Sequence, residues 1–181
     1  ESIRARAVKF MALFIAFQVL LVFALGLLLG THLVAPSVGA LTIAIVCGIA
    51  GWRAPHSAST RMLQAVGIMV MVSLVVFQFQ GHPWQIDVHM YYFACLAILT
   101  TLCDIRAVIA ATAAVAVHHI GLNFAFPAWI FPDGADFGRV IVHAVIVVVE
   151  AVIVGWLAIT VAKTFNTSDA ALREAEAAKA E

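Results

Sequence analysis

Residues 105–126 read IRAVIAATAAVAVHHIGLNFAF, a run of twenty-two in which Arg106 is the only residue from Asp, Glu, Lys and Arg. A helix of about 20 apolar residues crosses the hydrocarbon core of a bilayer, so this stretch reads as a transmembrane span. Two adjacent imidazoles, His118 and His119, lie near its far end. The rest of the chain has the same character: of 181 residues 64% are hydrophobic and 11% charged, with a mean hydropathy of +1.06. Soluble domains are roughly 45–50% apolar and about 25% charged.

Working outward, five further apolar stretches are bounded by loop punctuation. The expected spans are 7–30, 34–52, 62–80, 86–103, 105–126 and 138–165. The fold class is therefore all-α, a polytopic bundle of six transmembrane helices whose last helix extends into the cytoplasm. The first span is too long and is followed by too many others to be a cleaved signal peptide. The length leaves no room for a separate soluble catalytic domain, and ten basic against ten acidic residues give no basic bulk for nucleic acid. Cys47, Cys95 and Cys103 sit in apolar runs without a CxxC spacing, which argues against disulfides or a zinc ribbon. No Gly-rich phosphate loop follows a strand, so Gly26, Gly30, Gly48 and Gly51 read as helix-packing positions.

Cytoplasmic loops carry the excess of Lys and Arg. With the N-terminus inside, Arg4, Arg6, Lys9, Arg53, Arg61, Arg106, Lys163, Arg173 and Lys179 are all cytoplasmic, and Arg139 alone is outside. Both termini then face the cytoplasm, Asp104–Arg106 forms an inner hairpin, and residues 123–138 form the longest outer loop. Trp52, Trp84 and Trp129 fall at expected interfaces. Beyond Phe165 the Ala- and Glu-rich segment 166–181 is a helix former with Ser168 or Asp169 as a cap. It stops in mid-helix and the chain opens at Glu1, so the expectation is the membrane part of a longer protein with a cytoplasmic signalling domain.

Six of the seven histidines fall on the outer side: His32, His82, His89, His118, His119 and His143, with His56 inside. Ionisable groups within a membrane helix usually face the bundle interior and are functional candidates. His89, His118, His119 and His143 come to similar depth on three consecutive helices, and neutral imidazole is the commonest metal ligand. His118 and His119 are about 100° apart around their helix, so the two are not expected to bind one ion alike. Glu150, two turns beyond His143, is placed to hold a proton or bond a histidine. Asp87 either orients an imidazole or caps the fourth span. Tyr92 and the Phe-rich outer loop read as walls and Asn123 as a loop or cap residue. The alanines of 105–126 allow close helix packing or clear space for a macrocycle, and the sequence leaves both open.

The segments Asp87-Val-His89-Met-Tyr91-Tyr92-Phe93, Asp104-Ile-Arg106, Ala116-Val-His118-His119-Ile-Gly-Leu-Asn123, Pro127 and Val142-His143 with Glu150 together resemble the N-terminal membrane sensor region of some bacterial methyl-accepting chemotaxis proteins and diguanylate cyclases. The resemblance covers roughly residues 60 to 165. It implies a sensory input unit joined through the sixth span to a cytoplasmic signalling helix, commonly as a homodimer.

Three functions compete. The leading one is a sensor holding a histidine-ligated cofactor at His89, His118, His119 and His143, haem b ahead of copper or zinc, with a redox, gas or ligand signal passed through the sixth helix. A proton or ion transporter is the second, opposed by the absence of matching intramembrane acids or bases in the inner half and of an inverted repeat. A membrane oxidoreductase using the same cofactor is the third. No catalytic residue is assigned within the chain.

Overall fold

The computed structural model describes residues 3–180; Glu1 and Glu181, where the expected chain ends fall, lie outside the described residues. The elements are α1 (Ile3–Leu29), α2 (Val34–Arg53), α3 (Ala58–Gln78), α4 (Gln85–Val88), α5 (Met90–Ile98), a 3-10 turn (Leu99–Leu102), α6 (Ile105–Ala125), a second 3-10 turn (Pro127–Trp129) and α7 (Phe137–Ala180). No strand occurs among the described residues. The helices run up and down. One end carries Asp104 and nine of the basic residues; the other carries six histidines and Arg139.

Five helices, α1, α2, α3, α6 and α7, are long and apolar enough to cross a membrane. The fourth expected span, 86–103, is not a single helix. It breaks at His89, whose ring Nδ1 lies 2.8 Å from the Gln85 carbonyl while its backbone amide turns to the Ile86 carbonyl, one residue nearer. At its other end Thr100 and Thr101 donate to the carbonyls of Ala97 and Ile98, each three residues back. Hydroxyls bonded locally to the backbone compete with the α ladder, and here the helix tightens to 3-10 before Cys103 adopts a left-handed φ of 49°.

Helix α3 forms the centre, packed on α1, α2, α5 and α6. Its buried polar groups join the helices. The Gln64 side-chain amide donates to the carbonyls of Val8 and Cys47, and that of Gln78 to the carbonyls of Val22 and His32. Close approach at these crossings requires small residues. A Cβ on Gly67 would stand 2.7 Å from Cys47 Sγ, and one on Gly51 or Gly26 would stand 3.0 Å from the Gln64 or Gln78 amide. Gly48 instead faces open space, and Gly30 serves a turn with φ 62°, so those two are not packing positions within this chain.

At the Asp104 end, the carboxylate of Asp104 accepts from the buried guanidinium of Arg61 at 2.8 Å and from Arg106 at 3.0 and 3.1 Å, and caps α6 through the Arg106 amide. Burial alone would raise the Asp104 carboxyl, but these hydrogen bonds and the Arg61 charge outweigh it and hold the group below its ordinary value. Arg61 also donates to the His56 carbonyl, and Arg4 to that of Cys103. From this end α7 continues unbroken past the bundle. Ser168 and Asp169, expected as a cap, lie inside the helix, and residues 163–179 are exposed all round. That projection is roughly 25 Å long.

Candidate metal centre

Three helices bring one imidazole each to a common point. His89 sits at the break between α4 and α5, His119 on α6 and His143 in the second turn of α7. Their ring centres are 5.6 Å (His89–His119), 5.8 Å (His119–His143) and 5.9 Å (His89–His143) apart, a nearly equilateral triangle.

The three rings are held in the same way. In each, Nδ1 lies 2.8–2.9 Å from the carbonyl four residues back: Gln85 for His89, Val115 for His119, Arg139 for His143. A carbonyl only accepts, so each of these contacts places the proton on Nδ1 and leaves a lone pair on Nε2. An outer hydrogen bond of this kind fixes the tautomer and orientation of a metal-binding histidine. His89 and His119 are 3% and 5% exposed, and their Nε2 atoms are buried with no hydrogen-bond partner. Such orphaned polar atoms are rare in folded proteins and call for an explanation.

His118 lies outside the triangle. Its ring is 5.1 Å from that of His119 and 5.8 Å from Tyr92, and its Nε2 is also buried without a partner. Tyr92 closes the floor beside His89 and His119, its hydroxyl 2.7 Å from that of Ser73. Phe131 closes the roof, 5.8, 6.5 and 6.1 Å from His89, His119 and His143, fully buried and covered by the Arg139 guanidinium at 5.2 Å. The loop carrying Phe131 is stapled to the bundle. Asn123 Oδ1 accepts from the Asp136 amide at 2.8 Å, and the Gln85 side chain donates to the Ala128 carbonyl at 3.2 Å. Asp136 in turn caps α7 by accepting from the Arg139 amide.

Asp87 is exposed on the far side of its helix turn and does not reach the triangle. Glu150 lies about 10 Å further along α7 by helix rise, half-buried, with Oε2 unpartnered. Sequence reasoning did not find Gln85, Ser73 or Arg139. Their roles are cross-helix or backbone bonds, and the spacing of apolar residues encodes neither.

Among the described residues no three or more His, Cys, Asp or Glu side chains already stand as a ready ligand set. The ring spacing of 5.6–5.9 Å is slightly wider than that of a ligated set. Zinc–imidazole nitrogen distances are about 2.0–2.1 Å, and with the ring centre roughly 1.1 Å behind the nitrogen, three ligands in a tetrahedral or trigonal array have ring centres about 5.2–5.6 Å apart. A haem ligated between two of these three rings would meet the third, which stands about 5 Å from their midpoint. The chain matches no family model, no curated protein and no solved structure.

Proposed function

We propose that this chain is a membrane-embedded sensory input unit that binds one transition-metal ion, copper or zinc, at His89, His119 and His143 in the outer half of an inner-membrane bundle. The observation that carries the reading is the threefold repetition of one device, an imidazole whose Nδ1 is tied to the carbonyl four residues back, on three rings whose centres lie 5.6–5.9 Å apart. Neutral nitrogen donors suit copper and zinc. No carboxylate joins them, and the roof and floor are aromatic, so the ion sits apart from water.

His143 belongs to α7, whose other end projects beyond the bundle. Turning His143 onto an ion pulls on the first turns of α7 relative to α5 and α6, and a continuous helix carries such a shift to its far end as a small translation or rotation. Nine of ten basic residues at the projecting end favour a cytoplasmic placement of that end.

The test is metal content of the detergent-purified full chain after growth with copper or zinc. One ion per chain is expected, falling to none in His89→Ala, His119→Ala and His143→Ala. Undiminished content in all three variants overturns the site.

A further inference from the structure

Next to the triangle, α6 and α7 part to leave a cavity of about 70 Å³. Ala116, Ile120, Val140, Ala144 and Val147 supply most of the wall, and the imidazoles of His119 and His143 the rest of its inner end. The single hydroxyl in the wall, on Thr112, donates to the Val108 carbonyl at 2.9 Å and is satisfied within its own helix. A buried water needs two to four polar partners, and an apolar cavity that lacks them stays dry and takes up apolar guests such as xenon. This wall offers no partners besides the two imidazoles, and no charged group stands in it to hold an anion.

Two further features point to a ligand. His119, 5% exposed and with an unpartnered Nε2, is one of the two imidazole residues that line this space. The cavity also lies between exposed flanks of the two helices: Ala116, Ile120, Ala144 and Val148 all face outward. Its mouth therefore opens to hydrocarbon, in which small neutral molecules dissolve. Alanine at 116 and 144 is what leaves the space, since a longer side chain from either wall would fill it.

We infer that this cavity is the binding site of a neutral diatomic molecule of the class of dioxygen, carbon monoxide or nitric oxide, entering sideways from the lipid and resting against the side of the metal ion that three histidines leave open. The contact with the ion rests on the proposed metal centre; the cavity itself does not. Three protein ligands leave a fourth position for an exogenous molecule, and the apolar space adjoins two of the three. The signal named by this geometry is a gas.

The experiment uses the full chain in nanodiscs, loaded with copper(I) without oxygen, with carbon monoxide as the probe and the infrared stretch of the copper carbonyl as readout. One carbonyl per copper is expected. Ala144→Leu and, from the opposite wall, Ala116→Leu should weaken carbon monoxide at least tenfold at unchanged copper content, while Val117→Leu on the exposed face of α6 should leave it unaltered. Copper that loads but takes no carbon monoxide, or takes it equally in the leucine variants, overturns the inference. Xenon-129 NMR on the metal-free chain examines the cavity separately: a xenon shift abolished by Ala144→Leu is expected, and its absence also overturns the inference. Failure of copper to load overturns the metal centre, and the xenon result then decides the cavity alone.

Discussion

Replacing Asp104 by Asn isolates one buried charge. Asn keeps the size of the side chain and its oxygen still caps α6, but Arg61, 3% exposed, is left with the His56 carbonyl as its remaining acceptor. Removing one partner of a buried ion pair costs about 3–5 kcal/mol, because the other charge stays in place without its counter-ion. The Arg106 contact adds little, since that side chain is 58% exposed and its attraction is screened. Asp104→Asn should thus lower stability by about 3–5 kcal/mol, and Arg61→Leu combined with Asp104→Asn should recover most of it. Reversible unfolding in mixed micelles, followed by far-UV circular dichroism as the denaturing detergent is raised, measures both. The pH dependence gives a second readout. The folded carboxyl is held below its unfolded value of 3.8, so its contribution is complete above about pH 4 and disappears as pH falls through the folded value. The wild-type chain should lose stability on acidification below about pH 4, and Asp104→Asn should lack that component. A loss under about 1 kcal/mol, or an unchanged acid slope, would refute the reasoning.

The adjacent histidines should separate cleanly: His118→Ala keeps the metal, while His119→Ala weakens it by more than the 10–100-fold that loss of an outer hydrogen bond costs, as read by competition with a chromophoric chelator. Asn123→Ala and Gln85→Ala should each release part of the Phe131 loop, lowering stability by about 1–3 kcal/mol and speeding chelator-driven metal loss at unchanged stoichiometry. Gly67→Ala forces a methyl against Cys47 Sγ and should cost about 1–3 kcal/mol in the same unfolding assay, whereas Gly48→Ala, facing open space, should be neutral.

Hydropathy made the helical character legible because a helix that meets lipid must be apolar along its whole length, and α1, α2, α3, α6 and α7 lie close to the expected spans. It overlooked the break at His89. The segment QIDVHMYYFACLAILTTL is as apolar as its neighbours, and what interrupts it is a set of side-chain bonds to nearby carbonyls, which hydropathy does not weigh. At the site, depth along consecutive helices was enough to group His89, His118, His119 and His143. The choice between His118 and His119 needs the rotation of α6, and that is fixed by packing on α3 and α7 more than by its own pattern, since both flanks of the helix are apolar. Asn123 was legible only as a loop residue because its partner, the Asp136 amide, lies thirteen positions away.

The two ends of the bundle are built on opposite principles, and the contrast bears on how the proposed signal would cross it. At the Asp104 end the charged groups are mutually satisfied: Arg61, Asp104 and Arg106 form hydrogen bonds that fix α3 against the start of α6. At the histidine end His89, His118, His119 and Asn123 keep buried nitrogens without partners. An unsatisfied buried donor or acceptor costs about 1–3 kcal/mol, and on the proposed function a bound ion would relieve part of that cost. Binding would then act where the structure is under-satisfied and leave the satisfied end as a fixed reference. Of the elements that meet at the triangle, α4–α5 and α6 run into that fixed end through the Leu99–Leu102 turn and the Asp104 cap. Helix α7 packs on that turn and on Ile105 at the start of α6 but alone continues beyond them, so on the proposed function a displacement at His143 would appear at its projecting end. A spin-label pair at the exposed Ser59 and Ala170 should report a change in distance on copper loading, and a pair at Ser59 and the exposed Ile109 should report none. Equal changes in both pairs would mean that the bundle moves as a whole and that α7 carries no separate signal.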